Sequence, residues 1–198
     1  MTALDKELLE LAREYNTQAV TEIYDRYAES IYRYLYRLVG DANHAEDLTS
    51  EVFVRLLQAL GTRRGPREQL QGWLYRVAHN LAMDWFRQQS THSSLSLNEE
   101  VATGGDSPSA TVERRQAYRR LRGAISQLTP SQQQVILLRF GEGLKLAEVG
   151  QLMGKSEGAI KVLQHRAVKR LRKLLEGEAK QVNENTGSRK VRRSPATG

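Results

Sequence analysis

LKLAEVGQLMGKSEGAIKVLQHRAVKRLRKLL, residues 144–175, predicts a short helix, a tight turn and a longer helix. Apolar residues recur at helical spacing before Gly154, and glycine adopts the positive φ of a sharp turn at little cost. Ser156 is a suitable N-cap for the second helix. This is the pattern of a helix-turn-helix, whose second helix can enter a DNA major groove. An αα-hairpin within some other helical domain would give a similar pattern.

The predicted second helix has an apolar stripe and a basic remainder. The residues expected to be buried are Ile160, Leu163, Ala167, Leu171 and Leu174. The other faces carry Lys161, Gln164, His165, Arg166, Lys169, Arg170, Arg172 and Lys173. Cations and amides on the exposed side of such a helix are suited to phosphates and base edges.

Composition narrows the class of partner. The 198 residues have a net charge of +7, which makes nucleic acid the first candidate. Residues 1–60 hold 11 acids against 6 Lys and Arg, whereas residues 161–198 hold 3 against 11, so the two ends should meet different partners. The absence of cysteine excludes disulfides, thiol catalysis and cysteine-ligated zinc. No apolar run approaches the ~18 residues of a membrane span, and we expect a soluble, cytoplasmic, all-α protein without membrane insertion.

The first 60 residues predict amphipathic helices that end near Gly40 and restart at Asp41. The helix after Asp41 carries an acidic face at helical spacing, made by Asp47, Glu51, Arg55 and Gln58. In a basic protein, such a face favours docking to another protein rather than to DNA. His44, Glu46 and Asp47 lie too close in sequence to converge on a metal from one helix face.

Residues 61–69, GTRRGPREQ, predict a loop that contains Arg63 and Arg64. It is either a solvated connector or a loop that grips phosphates or an extruded base. The next helix carries one polar stripe made by Arg76, Asn80, Asp84 and Arg87. Its Arg and Asn side chains can donate to bases and phosphates. By periodicity Trp73 and Trp85 are core residues, and His79 is expected on the helix surface.

The composition divides the chain into two small helical domains, 1–90 and 111–176. A Ser- and Gly-rich acidic stretch over residues 91–110 predicts a flexible linker. The second domain is expected to start at Pro108, to continue through a Thr129–Gln132 capping box and to bury Phe140. Residues 177–198 lack periodicity and predict a disordered basic tail.

The order of these motifs resembles the sigma-70 family of bacterial RNA polymerase specificity subunits, and the small extracytoplasmic-function (ECF) type in particular. IYRYLYRLVGDANHAEDLTSEVFVRLLQAL and GWLYRVAHNLAMDWFRQQ look like region 2. LTPSQQQVILLRFGEGLKLAEVGQLMGKSEGAIKVLQHRAVKRLR looks like region 4. The resemblance covers about residues 15–90 and 112–173. It implies two helical domains, the second a helix-turn-helix of the winged-helix-like kind without a strand wing.

The resemblance also implies a division of roles. Asp47, Glu51, Arg55 and Gln58 would dock on core RNA polymerase, which region 2 and region 4 engage at the largest-subunit clamp and at the flap. Residues that would open and read the −10 element are Arg63, Arg64, Arg76, Asn80, Asp84 and Arg87. Residues that would read the −35 element are Ser156, Glu157, Lys161, Gln164, His165, Arg166 and Lys169. The acidic linker would run toward the polymerase active centre, and an anti-sigma factor is a family expectation. No cofactor, metal or catalytic residue is implied.

Two other classes of function stay open from sequence alone. A plain helix-turn-helix regulator would bind a palindrome without polymerase, with half-sites one helical turn apart. A metal hydrolase using His44, His79 or His165 would need ligand spacing of the HExxH kind, which the sequence lacks.

Overall fold

The computed structural model describes residues 3–62, 65–66, 69–92 and 108–191 of the chain, and within them all regular structure is helical. The α-helices are α1 Ala3–Arg13, α2 Thr17–Val39, α3 Ala42–Leu60, α4 Leu70–His92, α5 Pro108–Ser126, α6 Pro130–Ile136, α7 Leu146–Met153 and α8 Glu157–Val191. A π-turn over Leu137–Gly141 continues α6. We call α1–α4 the N-terminal unit and α5–α8 the C-terminal unit. None of the helices in these ranges is long and apolar enough to cross a membrane.

The ends of α2 and α3 follow from local hydrogen bonds. The Asn16 side chain accepts from the Ala19 N–H at 3.0 Å and caps α2. Gly40 ends α2 with φ 77°, as predicted. Asp41 then caps α3 by accepting from the His44 N–H at 2.8 Å, and this bond lowers the pKa of the Asp41 carboxyl. These caps set the angle between α2 and α3.

The N-terminal unit buries one apolar side of each helix. Its fully buried residues include Ile23, Ile31, Leu35, Val52, Leu56 and Leu74. Helix α1 is attached by a buried polar contact as well: Asp5 accepts from Arg26 and from the Tyr27 hydroxyl, both at 2.9 Å. Asp5 therefore fastens α1 to α2.

The C-terminal unit contains the predicted helix-turn-helix, α7–turn–α8. Gly154 has φ 64°, and Gly150 is packed so tightly that a Cβ there would lie 2.8 Å from the Lys155 carbonyl oxygen. The Ser156 hydroxyl accepts from the Ala159 N–H at 3.3 Å, which confirms the predicted cap. The Gln132 side chain likewise accepts from the Thr129 N–H at 3.2 Å at the start of α6.

Three features differ from the sequence expectation. Phe140 is 62% exposed rather than buried, because the wider π-turn rotates it off the stripe formed by Val135 and Leu138. Trp73 and Trp85 are half-buried rather than core residues. Helix α8 continues through Val191, beyond the expected end of the ordered domain at 176; without proline, a preformed helix extends at little cost. Residues 93–107 and 192–198 lie outside the described ranges.

The two units share one apolar core within the described residues. Helix α4 lies against α7, and α2 lies against the π-turn and α5. The division into two helical units agrees with the sequence, but their mutual packing is a property that only the tertiary structure displays.

Candidate functional site

The acidic face of α3 forms as predicted. Asp47 and Gln58 are exposed, and Glu51 and Arg55 are partly exposed, all on one side of the helix. Arg55 Nε donates to Glu51 Oε1 at 2.9 Å. An exposed pair at this spacing stabilises a helix by only ~0.3–0.5 kcal/mol. These groups are therefore available to a partner at little cost to the fold.

Sequence reasoning missed an apolar component of the same face. Val54 is 44% exposed and lies three residues after Glu51 and four before Gln58, so it sits within the face. Leu57, 45% exposed, lies beside it at helical spacing. The signal was present in the sequence, because Val54 breaks a stripe that is otherwise polar. Burial of these side chains by a partner would add apolar contact to the polar one.

The polar stripe of α4 also forms. Arg76, Asn80 and Arg87 are exposed and Asp84 is partly so, and Asp84 accepts a hydrogen bond from Arg87. Since these residues follow one another at spacings of four, four and three, one ligand lying along α4 can contact them all. Arg and Asn side chains supply the donors that base edges and phosphates accept.

A groove between α3 and α4 connects the acidic face to the polar stripe. Its lining residues are Leu48, Glu51, Arg55, Leu81, Asp84, Trp85, Arg87 and Gln88. The centroid of the Trp85 ring lies 5.2 Å from that of His44 and 4.9 Å from that of Phe86. Two surfaces that the sequence assigned to different partners are thus adjacent in space.

Two residues of the loop between α3 and α4, Gly65 and Pro66, are held by contacts with other elements. A Cβ on Gly65 would lie 2.3 Å from the Ala59 carbonyl oxygen, so the loop turns directly over the end of α3. Arg13 of α1 donates to the Pro66 carbonyl at 2.6 Å. Arg63 and Arg64, the predicted phosphate or base contacts, lie outside the described residues.

His79 is buried, contrary to the sequence expectation of a surface residue. Its Nδ1 lies 2.9 Å from the Tyr34 hydroxyl, and its Nε2 has no hydrogen-bond partner among the described residues. Burial lowers the pKa of His79 to about 4, so the ring is neutral near pH 7. The signal that was overlooked is its spacing from Tyr75 and Ala82, which lie one turn away on either side and are buried.

Helix α8 presents the start of its polar side to solvent. Ile160, Ala167 and Leu171 are buried against the rest of the unit. The exposed predicted residues are Ser156, Glu157, Lys161, His165, Arg166 and Lys169. Gln164 differs from the other predicted residues, because it is half-buried and its Oε1 is buried with no hydrogen-bond partner in the described part of the chain. The arrangement suits insertion of the N-terminal half of α8 into a groove, with Gln164 set back from it.

The candidate metal ligands have other roles in the described structure. His44 Nδ1 lies 2.9 Å from Asp41 Oδ1, and its ring is tilted by 58° against that of Trp85. Over the described ranges no three His, Asp or Glu residues converge as a metal site would require.

Comparison with known proteins matches both units. The Sigma-70 region 2 family matches residues 23–92, and the Sigma-70, region 4 family matches residues 124–173. The ECF RNA polymerase sigma factor BldN of Streptomyces coelicolor is 38% identical over 176 residues, which cover 88% of this chain and 67% of that protein. The ECF RNA polymerase sigma factor SigX of Bacillus subtilis is 34% identical over 160 residues, 78% of this chain and 82% of that protein.

Solved structures share the fold. The structure of CnrH in complex with the cytosolic domain of CnrY has a TM-score of 0.63 at 20% identity, covering 88% of this chain and 98% of that one. The structure of the sigma factor RpoE in complex with the anti-sigma factor NepR, from Bartonella quintana, has a TM-score of 0.51 at 19% identity. The match covers 79% of this chain and 96% of that one. Helix α1 lies before residue 23, where the matched part of region 2 begins.

Proposed function

The chain belongs to the ECF RNA polymerase sigma factors, and we propose that its surfaces divide the work of promoter recognition among α3, α4 and α8. The family binds core RNA polymerase and directs it to promoters. The proposal concerns which side chains of this chain do so. The proposal depends on one observation. The residues predicted for polymerase docking, for the −10 element and for the −35 element each lie on one accessible side of a helix, apart from Gln164 and the two loop arginines.

The acidic face of α3 docks on the clamp of the polymerase largest subunit in this proposal. Asp47 and Glu51 provide negative charge for complementary cations, which raises the association rate and fixes the register. Val54 provides an apolar contact at the edge of the face, beside Asp47 and Gln58. Because α3 is held to the core by the buried Val52 and Leu56, the face is preorganised and binding needs little rearrangement.

The α4 stripe and the loop before it read and open the −10 element. Arg76 and Arg87 hold phosphates, and Asn80 has the donor and acceptor needed for a base edge. The half-buried Trp73 and Trp85 retain exposed ring surface on which unpaired bases can stack. Trapping an unstacked base offsets the few kcal/mol that unstacking costs, so melting needs no chemical step.

The N-terminal half of α8 reads the −35 element. Lys161, His165 and Arg166 are exposed on this part of the helix, where a DNA major groove would meet them. Phosphate contacts position the helix, and each good base contact discriminates by ~1–3 kcal/mol. Gln164 acts here through the packing of α8 rather than as a direct reader, since its Oε1 is buried.

The factor acts in the cytoplasm, without a catalytic centre of its own, and under an anti-sigma factor. Both solved structures named above are complexes with a protein partner, and in that of RpoE the partner is the anti-sigma factor NepR. The polymerase supplies the chemistry of transcription, and this chain supplies binding free energy and sequence choice.

The main experiment is transcription of fragmented genomic DNA by core polymerase, with and without the purified protein. We expect new start sites only when the protein is present. Binding of a palindrome without polymerase, and identical start sites in both reactions, would favour the plain regulator instead.

A charge-reversal pair tests the docking surface. Asp47→Lys with Glu51→Lys should abolish co-purification with core polymerase and leave the circular dichroism spectrum unchanged. Glu46→Lys is the matched control, because Glu46 is exposed on α3 but points about 100° away from Asp47. Equal binding by both variants would contradict the assignment of this face.

A further inference from the structure

Two residues at the end of α1 contact the loop that precedes α4. Arg13 lies in the last turn of α1, and its Nη2 donates to the carbonyl oxygen of the buried Pro66 at 2.6 Å. Tyr15 follows α1. Its hydroxyl oxygen would lie 2.9 Å from a Cβ on Gly61, so it lies against the backbone where the loop begins. The end of α1 therefore contacts the loop at two separate places.

Tyr15 has a backbone conformation that favours glycine. Its φ is 59°, and no other non-glycine residue in the described ranges has a positive φ. The Tyr15 N–H donates to the Ala12 carbonyl at 3.0 Å. The Asn16 N–H donates to the Leu11 carbonyl at 3.2 Å, and these two bonds form a Schellman motif, in which glycine usually occupies the position of Tyr15. The ring is 71% exposed and gains little from burial. Strain that persists in this way indicates a use for the side chain, and the contact with Gly61 supplies one.

The described residues of the loop are packed against the end of α3. The Thr62 hydroxyl donates to the Ala59 carbonyl at 3.0 Å, and the Gly65 N–H donates to the Thr62 carbonyl at 3.4 Å. A Cβ on Gly65 would lie only 2.3 Å from the same Ala59 oxygen. Arg63 and Arg64, the predicted −10 contacts, are joined covalently to Thr62 and Gly65. Contacts that hold these two residues therefore fix both ends of the segment that carries the arginines.

Helix α1 is itself anchored, so its end can hold the loop in place. Leu8, Leu9 and Ala12 are buried. Near the start of the helix, Asp5 accepts from two side chains of α2, both at 2.9 Å. The last turn of α1 therefore has a fixed position relative to α2. Because the backbone of Arg13 is already ordered by these contacts, its bond to the loop costs mainly side-chain entropy.

We propose that Arg13 and Tyr15 form a brace that positions the loop between α3 and α4 for the −10 element. The proposal rests on the proposed role of this loop in reading and opening that element. Both side chains act through the loop, as positioning residues, and need no contact with DNA. A loop that is already ordered in the free protein loses less conformational entropy when it captures an unpaired base. The brace therefore strengthens −10 selection.

The first test measures the order of the loop in the free protein. Trypsin cleaves after arginine, and its rate of cleavage within residues 61–69 reports how often the loop opens. Arg13→Met keeps an unbranched stem and removes the donor to Pro66. We expect it to be cut within the loop about threefold faster than wild type or more, with the fragments identified by mass spectrometry. Lys6→Met is the matched control, because it removes an exposed cation from the same helix, and it should be cut at the wild-type rate.

Tyr15→Gly separates the brace from the stability of the fold. Glycine adopts the positive φ of this position at little cost, so the melting temperature should not fall. The contact with Gly61 is lost, so the loop should nevertheless be cut about threefold faster or more. If Tyr15 only ends the helix, the cleavage rate should stay at the wild-type value.

The second test follows promoter selection. Core polymerase with each protein transcribes two promoter panels, one with single-base changes in the −10 element and one with such changes in the −35 element. Arg13→Met and Tyr15→Gly should lower the preference for the best −10 sequence about threefold or more and leave the −35 ranking unchanged. Lys6→Met should match wild type on both panels. Arg13→Lys keeps a donor and should recover part of the −10 preference. A smaller folded fraction would lower the output from both panels equally and would not change either preference.

Three results would overturn the brace. Wild-type cleavage rates in Arg13→Met and Tyr15→Gly would show that the loop does not depend on α1. Equal loss of preference on both panels would show a general effect on the fold. If the slope of log promoter affinity against log salt concentration fell by about one unit in Arg13→Met but not in Lys6→Met, Arg13 would bind a phosphate itself. Failure of the proposed function has a different signature, because the loop would be cut faster while −10 preference stayed unchanged.

Discussion

The buried His79 predicts a specific loss of stability in mild acid. The perturbation is a change from pH 7.5 to pH 4.5. The folded protein holds the pKa of His79 at about 4, because burial disfavours the imidazolium, whereas an unfolded chain has a His pKa near 6.5. Between these two pKa values the unfolded state therefore binds more protons than the folded state. The contribution of neutral His79 to the free energy of unfolding is complete above pH 6.5 and is lost as the pH falls toward 4.

The expected magnitude follows from the same two pKa values. At pH 4.5, linkage gives a loss of roughly 2–3 kcal/mol in the free energy of unfolding from this one group. That is a large part of the ~5–15 kcal/mol that holds a typical domain folded. The structural reason is that protonation makes both ring nitrogens donors, while Nε2 has no acceptor among the described residues and Nδ1 faces only the Tyr34 hydroxyl.

The assay is denaturant unfolding at both pH values for wild type, His79→Gln and His165→Gln. Carboxylates that titrate in the same range change the free energy of unfolding equally in all three proteins. The difference in pH dependence between wild type and a variant therefore isolates the effect of the replaced histidine. His79→Gln should lower stability at pH 7.5 and lose roughly 2–3 kcal/mol less on acidification than wild type. His165 is exposed on α8, and His165→Gln serves as the control for replacement of a surface histidine. Equal pH dependence in His79→Gln and wild type would refute the reasoning.

Further changes test the packing and the charges of the fold. Gly150→Ala should destabilise the C-terminal unit by ~1–3 kcal/mol in denaturant unfolding, because the new methyl group meets backbone, whereas Gly123→Ala has open space within α5 and should be neutral or stabilising by up to ~1 kcal/mol. Asp5→Asn should lower stability by ~1–3 kcal/mol, because Asp5 bonds to Arg26 and to the buried Tyr27 hydroxyl. Glu22→Gln, which removes only a surface pair with the same arginine, should change it by less than ~1 kcal/mol. Arg166→Ala should weaken holoenzyme binding to promoters with a −35 element. If Arg166 contacts a phosphate, the slope of log affinity against log salt concentration should fall by about one unit. If it reads a base, the ranking of affinities across a promoter panel should change. A variant that binds as tightly with the same ranking would show that Arg166 does not contact the DNA.

Local chemistry explains what was accessible from the sequence. Asp41, Gly154 and Ser156 act on backbone groups within four residues, so their roles as caps and turn residues could be predicted without any tertiary contact. The polar stripes of α3 and α4 follow from helical periodicity in the same way. The candidate surfaces could therefore be placed on helix faces before the structure was known.

The tertiary structure decided everything that depends on which neighbour covers a face. Periodicity does not say that Tyr34 would cover His79, or that a π-turn would turn Phe140 outward. Nor can it join Glu142 to Arg33, which are 109 residues apart. Sequence fixes the side of a helix on which a residue lies, because backbone geometry is local. Whether that side meets water, a core or the other unit depends on contacts that no local pattern contains.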